Sequence, residues 1–240
     1  MNFKEFKQQF QDELYEEYRV KLRLHDIAGG TPMSPDLIKG WIDATCKDKS
    51  DEERAKLVEA SLEALPDISE EKAARSWVGF KRNENGEFFI DGRCIKAMLK
   101  EGGNILKEII PNGGKQRGKN KGKDKGITAL KSKVADRVFV VEHQVYFTRN
   151  GERVKEAQLE ERPVHAMTPQ GPRSSLKRTD ILRDVDVEFT VRRLATDDVP
   201  EEALYAILVY AQQLGLGADR SQGRGTMEDI DVEKTKEVKR

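Results

Sequence analysis

Apolar positions along the chain recur in two rhythms. Phe3, Phe6, Phe10 and Leu14 stand three and four residues apart, so a short amphipathic helix is expected over residues 3–16. From Tyr18 to Ile27 the rhythm changes to two: Val20, Leu22 and Leu24 alternate with Arg19, Lys21 and Arg23, which predicts a half-buried strand with one basic face. Gly29, Gly30 and Pro32 end it. Ser34 before Pro35 suits a helix start, as does Ser50 before an acidic first turn, and Ser69 opens a further helical piece that ends near Trp77.

Residues 78–82 and 87–90 read as short strands about a turn at Asn85-Gly86. A helix capped by Asp91 follows, striped by Ile95, Met98, Leu99, Ile105, Leu106 and Ile109. Residues 138–147 predict a strand, residues 148–151 a turn, and residues 156–167 a returning strand in which Pro163 marks an edge. Residues 168–182 look like a basic loop. Val185, Val187, Phe189 and Val191 give the clearest period-two strand, and residues 200–215, with proline first and glycine last, the clearest helix. Residues 226–232 form the last strand.

With insertions set aside, the order is strand, helix, strands, helix, strand. That is the order of an α+β ferredoxin-like, RRM-type antiparallel sheet carrying two packing helices. The expected organisation is a single domain, 1–240, with a helical and hairpin insertion at 28–110, a flexible basic loop at 112–126 and a loop at 168–182.

Composition adds two constraints. Hydrophobic residues make up 37% and charged residues 36% of 240, a soluble domain with one core. The 43 basic and 43 acidic residues cancel, so attraction to a polyanion must be local. Cys46 and Cys94 are isolated, with no spacing that makes a metal site, and are expected to be reduced. No apolar run approaches the about 20 residues that cross a bilayer. A cytoplasmic location without membrane contact is expected, in the host cytoplasm for a phage protein.

Gly215-Leu-Gly-Ala-Asp-Arg-Ser-Gln-Gly-Arg-Gly225 removes side-chain bulk and adds Arg220 and Arg224, so backbone N–H groups could approach an anion. A helix cap with a bulged turn is the competing reading, accounting for one or two of the glycines. The segment lacks a nucleotide-binding P-loop and follows a helix where a dinucleotide loop follows a strand, so no cofactor is expected.

Residues 214–232, LGLGADRSQGRGTMEDIDV, resemble the glycine-rich loop and last strand of the RAMP superfamily, from which CRISPR effector complexes build their RNA-coating backbone. Residues 90–101, IDGRCIKAMLKE, resemble the helix start beside the RNA path in those backbone subunits. The family usually has Ser-Ser ahead of Leu-Lys-Gly; here Arg93-Cys94 precede Ile95-Lys96-Ala97. Gly29-Gly30 sit where family members often carry a glycine pair. GGTP near the start, with FFIDG and IKAMLKE, also resembles uncharacterised bacteriophage proteins.

The resemblance implies sequence-independent binding of single-stranded RNA, or of single-stranded DNA, in an oligomer or ribonucleoprotein. It points to Arg93, Lys96, Lys100, Gly217, Arg220, Ser221, Gly223 and Arg224 as contacts. Lys115, Arg117, Lys119, Lys121, Lys123 and Lys125 would add an electrostatic hand over the phosphates, although a solvated linker explains them equally.

Tyr146 and Phe147 must point to opposite faces of their strand, and Phe80, Phe88, Phe89, Phe139, Trp41 and Trp77 are expected in the core. Histidines of RNA-processing RAMP proteins act as general acid or base, which brings forward His25, His143 and His165, with Asp26 and Asp36 as acidic candidates. None falls in a matching pattern, and no enzymatic activity is expected. A metal-independent endoribonuclease and a phage structural or assembly protein are the alternatives.

Overall fold

The computed structural model describes residues 2–33, 35–63, 77–110, 126–168 and 171–238. In chain order the elements are α1 (Phe3–Leu14), β1 (Tyr15–Ala28), β2 (Thr31–Pro32), α2 (Pro35–Thr45), α3 (Asp51–Glu63), β3 (Trp77–Gly79), β4 (Lys81–Arg82) and β5 (Phe88–Asp91). There follow α4 (Gly92–Leu106), α5 (Leu130–Arg137), β6 (Val138–Val140), β7 (Gln144–Arg149), β8 (Glu152–Arg153), β9 (Gln158–Thr168), β10 (Gly171–Leu194), α6 (Glu201–Leu214) and β11 (Met227–Lys236). The chain is thus mixed α+β, with a large mixed sheet.

β1 holds the centre of that sheet because its period-two pattern is complete. Tyr18, Val20, Leu22 and Leu24 are wholly buried, while Arg19, Lys21, Arg23 and His25 face out. β10 runs antiparallel along one side of β1, from Tyr15↔Leu194 to Ala28↔Ile181, and β11 antiparallel along the other. The main path is β11-β1-β10-β7-β5-β4, with β6 also pairing β10. Val185, Val187, Phe189 and Val191 share the inner face with Ile95, Met98 and Leu99 of α4 and Leu204, Ile207 and Leu208 of α6. At about 25 cal/mol per Å² of apolar area, this one cluster supplies the main driving force for the fold.

Several expectations need correction. α4 is not part of an insertion: its buried residues belong to the central core cluster. Residues 168–182 are not a loop, for β10 is 24 residues long and pairs with β9 from Gly171↔Thr168 to Ile181↔Gln158. Such a ribbon forms its ladder from main-chain groups and has little core to face, so its sequence carries no apolar alternation. β9 pairs only with β10 among the described residues, in keeping with Pro163.

Residues 138–147 are two strands, β6 and β7, and at the break the Glu142 carboxylate accepts the Thr190 N–H at 2.7 Å. α5, with Leu130 and Val134 buried, lies in a segment where no helix was expected. Phe80, Phe88, Phe89 and Trp77 are core residues as expected, and Trp77 donates its indole N–H to Asp180 at 2.7 Å. Phe139 and Trp41 are not: they are 39% and 58% exposed. Ser34, the helical piece from Ser69, and the lysine-rich residues 112–125 lie outside the described residues, as do the side chains of Asp36 and His165.

Candidate nucleic-acid interface

The end of β1 and the glycine-rich loop are built against each other. Ala218 donates its N–H to the Ala28 carbonyl at 3.0 Å, and Gly225 donates to that of Asp26 at 3.0 Å. Gly217 makes this docking possible: its φ is +87°, and a Cβ there would lie 2.7 Å from the Ile27 side chain. On the other side β3 crosses so near that a Cβ on Gly29 would come within 2.4 Å of the Gly79 backbone. The glycine pair after the first strand is thus a crossing point between two chain segments.

The first turns of α4 form the facing wall, and together these parts enclose a cleft of about 450 Å³. Its floor is apolar, made by Phe80, Phe89, Ile90, Met98 and Leu216. Its rim carries Lys81, Arg93 and Arg220 against Asp91 and Glu101. Segments at 28–31, 90–101 and 215–220 therefore meet at one place, although they are spread over almost the whole sequence.

The rim charges are paired but accessible. Asp91 accepts the Lys81 ammonium at 2.8 Å and Arg93 Nε at 2.9 Å, so it serves these cations rather than capping α4. Burial raises the Asp91 pKa, yet those two cations outweigh it and hold the carboxyl below its usual range. The Arg93 side chain is 79% exposed. Arg220 Nη1 meets Glu101 Oε2 at 2.8 Å, both side chains being more than a third exposed. The Cys94 thiol, half-buried in the cleft wall beside Asp91, has its pKa pushed up by burial and by that carboxylate, which disfavours the reactive thiolate.

No protein-family model matches the chain, and no curated protein matches it. One solved structure to which the chain shows a weak similarity is a chain in the cryo-EM structure of the Type III-B Cmr-beta bound to cognate target RNA. The identity is 15% and the TM-score 0.41, over 97% of this chain and 65% of that one. This chain therefore spans slightly less than two thirds of that chain's length.

Other residues singled out in the sequence have different positions. Arg224 does not face the cleft: its guanidinium is held between Asp26 and Glu160, tying the loop to β1 and β9. Asp219 likewise binds Lys177 at 2.7 Å and Arg162 at 3.1 Å, fastening the loop to the β9–β10 ribbon. Gly215, Gly217, Gly223 and Gly225 all have positive φ, so the turn itself accounts for four of the loop's glycines, more than the one or two expected. Ser221 and Gly223 lie exposed at its tip.

Lys96 donates to the carbonyls of Val134 and Ala135, each at 2.8 Å, and to that of Val138. It caps the C-terminus of α5, and burial, with repulsion from Lys100, holds its pKa down to about 8. Lys96 is a bolt between two helices, whereas Lys100 stands a turn further along α4 with part of its side chain in solvent. Lys115, Arg117, Lys119, Lys121 and Lys123 lie outside the described residues.

The outward face of the sheet does not offer the expected basic surface. Arg19 faces Glu188 and Glu233, Lys21 faces Asp186, and Arg23 faces Glu228, so the basic side of β1 is matched by carboxylates on both neighbouring strands. At one end of that face Tyr15 and Phe139 meet edge to face, with ring centroids 6.1 Å apart. His143 is exposed on the turn before β7, and no described residue pairs with its side chain. No described helix is long and apolar enough to cross a membrane.

Sequence reasoning missed Lys81, Glu101 and the apolar floor, because Phe80 and Phe89 read as ordinary core residues. The signal available was the acidic residue at 101, one helical turn beyond Ala97 on the face that carries Cys94 and Met98.

Proposed function

We propose that the protein binds single-stranded RNA along this cleft, without sequence preference, as a RAMP-like subunit of a larger ribonucleoprotein assembly. One observation carries the reading: the glycine pair, the α4 start and the glycine-rich loop converge on a cleft with an apolar floor and three cations at its mouth. An apolar floor suits the bases of a single strand, and rim guanidinium groups suit the phosphates that link them. The strand order β11-β1-β10-β7, antiparallel throughout and joined through α4 and α6, supports the ferredoxin-like reading of the core.

In this reading Arg93 and Arg220 hold phosphates, Lys100 adds charge beside them, and Lys115 to Lys125 supply further phosphate contacts. Arg224 and Lys96 act indirectly, by holding the loop and α4 in place. The Arg220–Glu101 pair does not block the site, since exposed pairs are worth only about 0–1 kcal/mol and a phosphate can take the carboxylate's place, and Arg93, 79% exposed, is open to solvent beside its pair with Asp91.

Fluorescence anisotropy with a labelled RNA of about 20 nucleotides, repeated over a salt series, tests the proposal. Binding should weaken steeply with salt, with a slope of roughly 0.7 per phosphate contacted, and Arg93→Gln should lower both affinity and slope. Absence of binding at low salt, or an Arg93→Gln variant indistinguishable from wild type, would refute it. A matched DNA strand in the same assay decides between the two nucleic acids.

A further inference from the structure

His25, near the end of β1, lies between two strands that both leave regular geometry at the residue facing it. The neighbouring pairs Leu24↔Val185 and Asp26↔Arg183 place His25 across from Asp184, whose φ is +50° inside a strand. On the other side β11 steps from Asp229 opposite Arg23 to Met227 opposite Leu24, leaving Glu228 as the extra residue of a bulge. Bulges re-aim side chains. Here the two irregularities bring one carboxylate from each flank onto the same imidazole.

Two of the resulting distances match those between ligands of one coordination shell. Asp184 Oδ1 lies 3.5 Å and Glu228 Oε1 3.4 Å from His25 Nδ1, and all three ligand atoms fall within 4.8 Å of one another. A tetrahedral ion with bonds of about 2.0–2.1 Å separates its ligand atoms by roughly 3.3–3.4 Å. The three side chains are 67%, 61% and 49% exposed, so an ion can enter from solvent and the two carboxylates are free to draw together around it. The second oxygen of Glu228 is 3.5 Å from Arg23 Nε, which would orient a carboxylate that binds through one oxygen.

We propose that His25, Asp184 and Glu228 bind a divalent transition-metal ion, for which Zn²⁺ is the best-matched probe. An imidazole with two carboxylates favours such an ion over Mg²⁺ or Ca²⁺, which prefer shells made wholly of oxygen. Three protein ligands leave the fourth position to water, so the ion remains open to an exchangeable ligand. The site lies on the outward face of the sheet and stands independently of the RNA-binding reading.

The test is calorimetric titration of the full chain, free of any affinity tag, with Zn²⁺. About one ion per chain should bind, His25→Ala and Glu228→Gln should each weaken binding at least about tenfold, and His143→Ala should leave it unchanged. Co²⁺ in place of Zn²⁺ should give ligand-field absorption that disappears in His25→Ala. Circular dichroism checks that each variant is folded, and Asp184→Asn supplies a third ligand substitution should one fail. No binding, or binding of equal strength in His25→Ala because Cys46 or Cys94 holds the metal, would overturn the assignment.

Discussion

The pair between Arg220 and Glu101 allows the RNA-binding proposal to be tested in both directions. If Arg220 contacts phosphate, Glu101 is its competitor, and Glu101→Gln should tighten binding while Arg220→Gln weakens it. The two groups lie 2.8 Å apart with side chains 35% and 42% exposed, so releasing the guanidinium recovers at most about 1 kcal/mol. Removing the carboxylate also lifts its repulsion of an incoming phosphate, about 1 kcal/mol at 4 Å in water. The gain is therefore between about fivefold for one effect and about 30-fold for both, at 1.4 kcal/mol per decade. Arg220→Gln should lower the salt slope by about 0.7, one phosphate contact on a single strand. Anisotropy titrations at three or more salt concentrations read both quantities. The double variant should bind only about fivefold better than Arg220→Gln alone, because the competition for the guanidinium vanishes with Arg220 while the carboxylate's own repulsion of phosphate does not. A gain from Glu101→Gln that is as large without Arg220 as with it, or no gain at all, would remove Arg220 from the RNA path.

Two further outcomes concern the framework that holds the cleft. Arg193, 3% exposed, binds the Glu16 carboxylate and donates to the Val199 carbonyl at 2.6 Å, so Arg193→Met leaves a buried carboxylate without its guanidinium. The loss in denaturant unfolding should be about 3–5 kcal/mol, and a loss below about 1 kcal/mol would contradict the buried pair. Burial raises the Glu16 pKa, but the Tyr18 hydroxyl, Arg193 and Lys234 outweigh it and the carboxyl titrates below its usual 4.5. The stability this contributes is present above that value and fades as pH falls through the folded one, so wild type should lose stability more steeply below about pH 5 than Glu16→Gln. Phe147 is wholly buried with its ring 5.2 Å from that of Phe80, and Phe147→Ala should cost about 3–5 kcal/mol. Phe139→Ala, at an exposed position, should cost far less, and equal losses in the two variants would show that Phe139 is core after all.

What could be read in advance was what a chain does locally. Val20, Leu22 and Leu24 announce β1, Val185 to Val191 announce the inner half of β10, and Pro200 and Gly215 bracket α6 to within a residue. Where the local signal was ambiguous, the reading failed for identifiable reasons. Phe139 sits in Val-Phe-Val-Val, a run whose alternation is hidden because every member is apolar; only the pairing of β6 with β10 turns Val138 inward and Phe139 out. The outer half of β10 carries no alternation because its partner β9 forms a ribbon with it beyond the core.

Charge partners are harder still, since they are properties of the folded chain. Arg224 lies 198 residues from Asp26, and Arg220 119 residues from Glu101. With basic and acidic residues in equal number, almost any arginine can meet a carboxylate once the sheet forms, and the sequence does not say which. The two arginines of one glycine-rich loop consequently differ. Arg224, held by two carboxylates and only 24% exposed, would have to break a partly buried double tie to reach a ligand. Arg220, held by one exposed carboxylate at the mouth of the cleft, needs only an exchange of anions. A motif that names both residues alike therefore covers two roles, and the surrounding carboxylates, more than the arginines themselves, determine which one can bind.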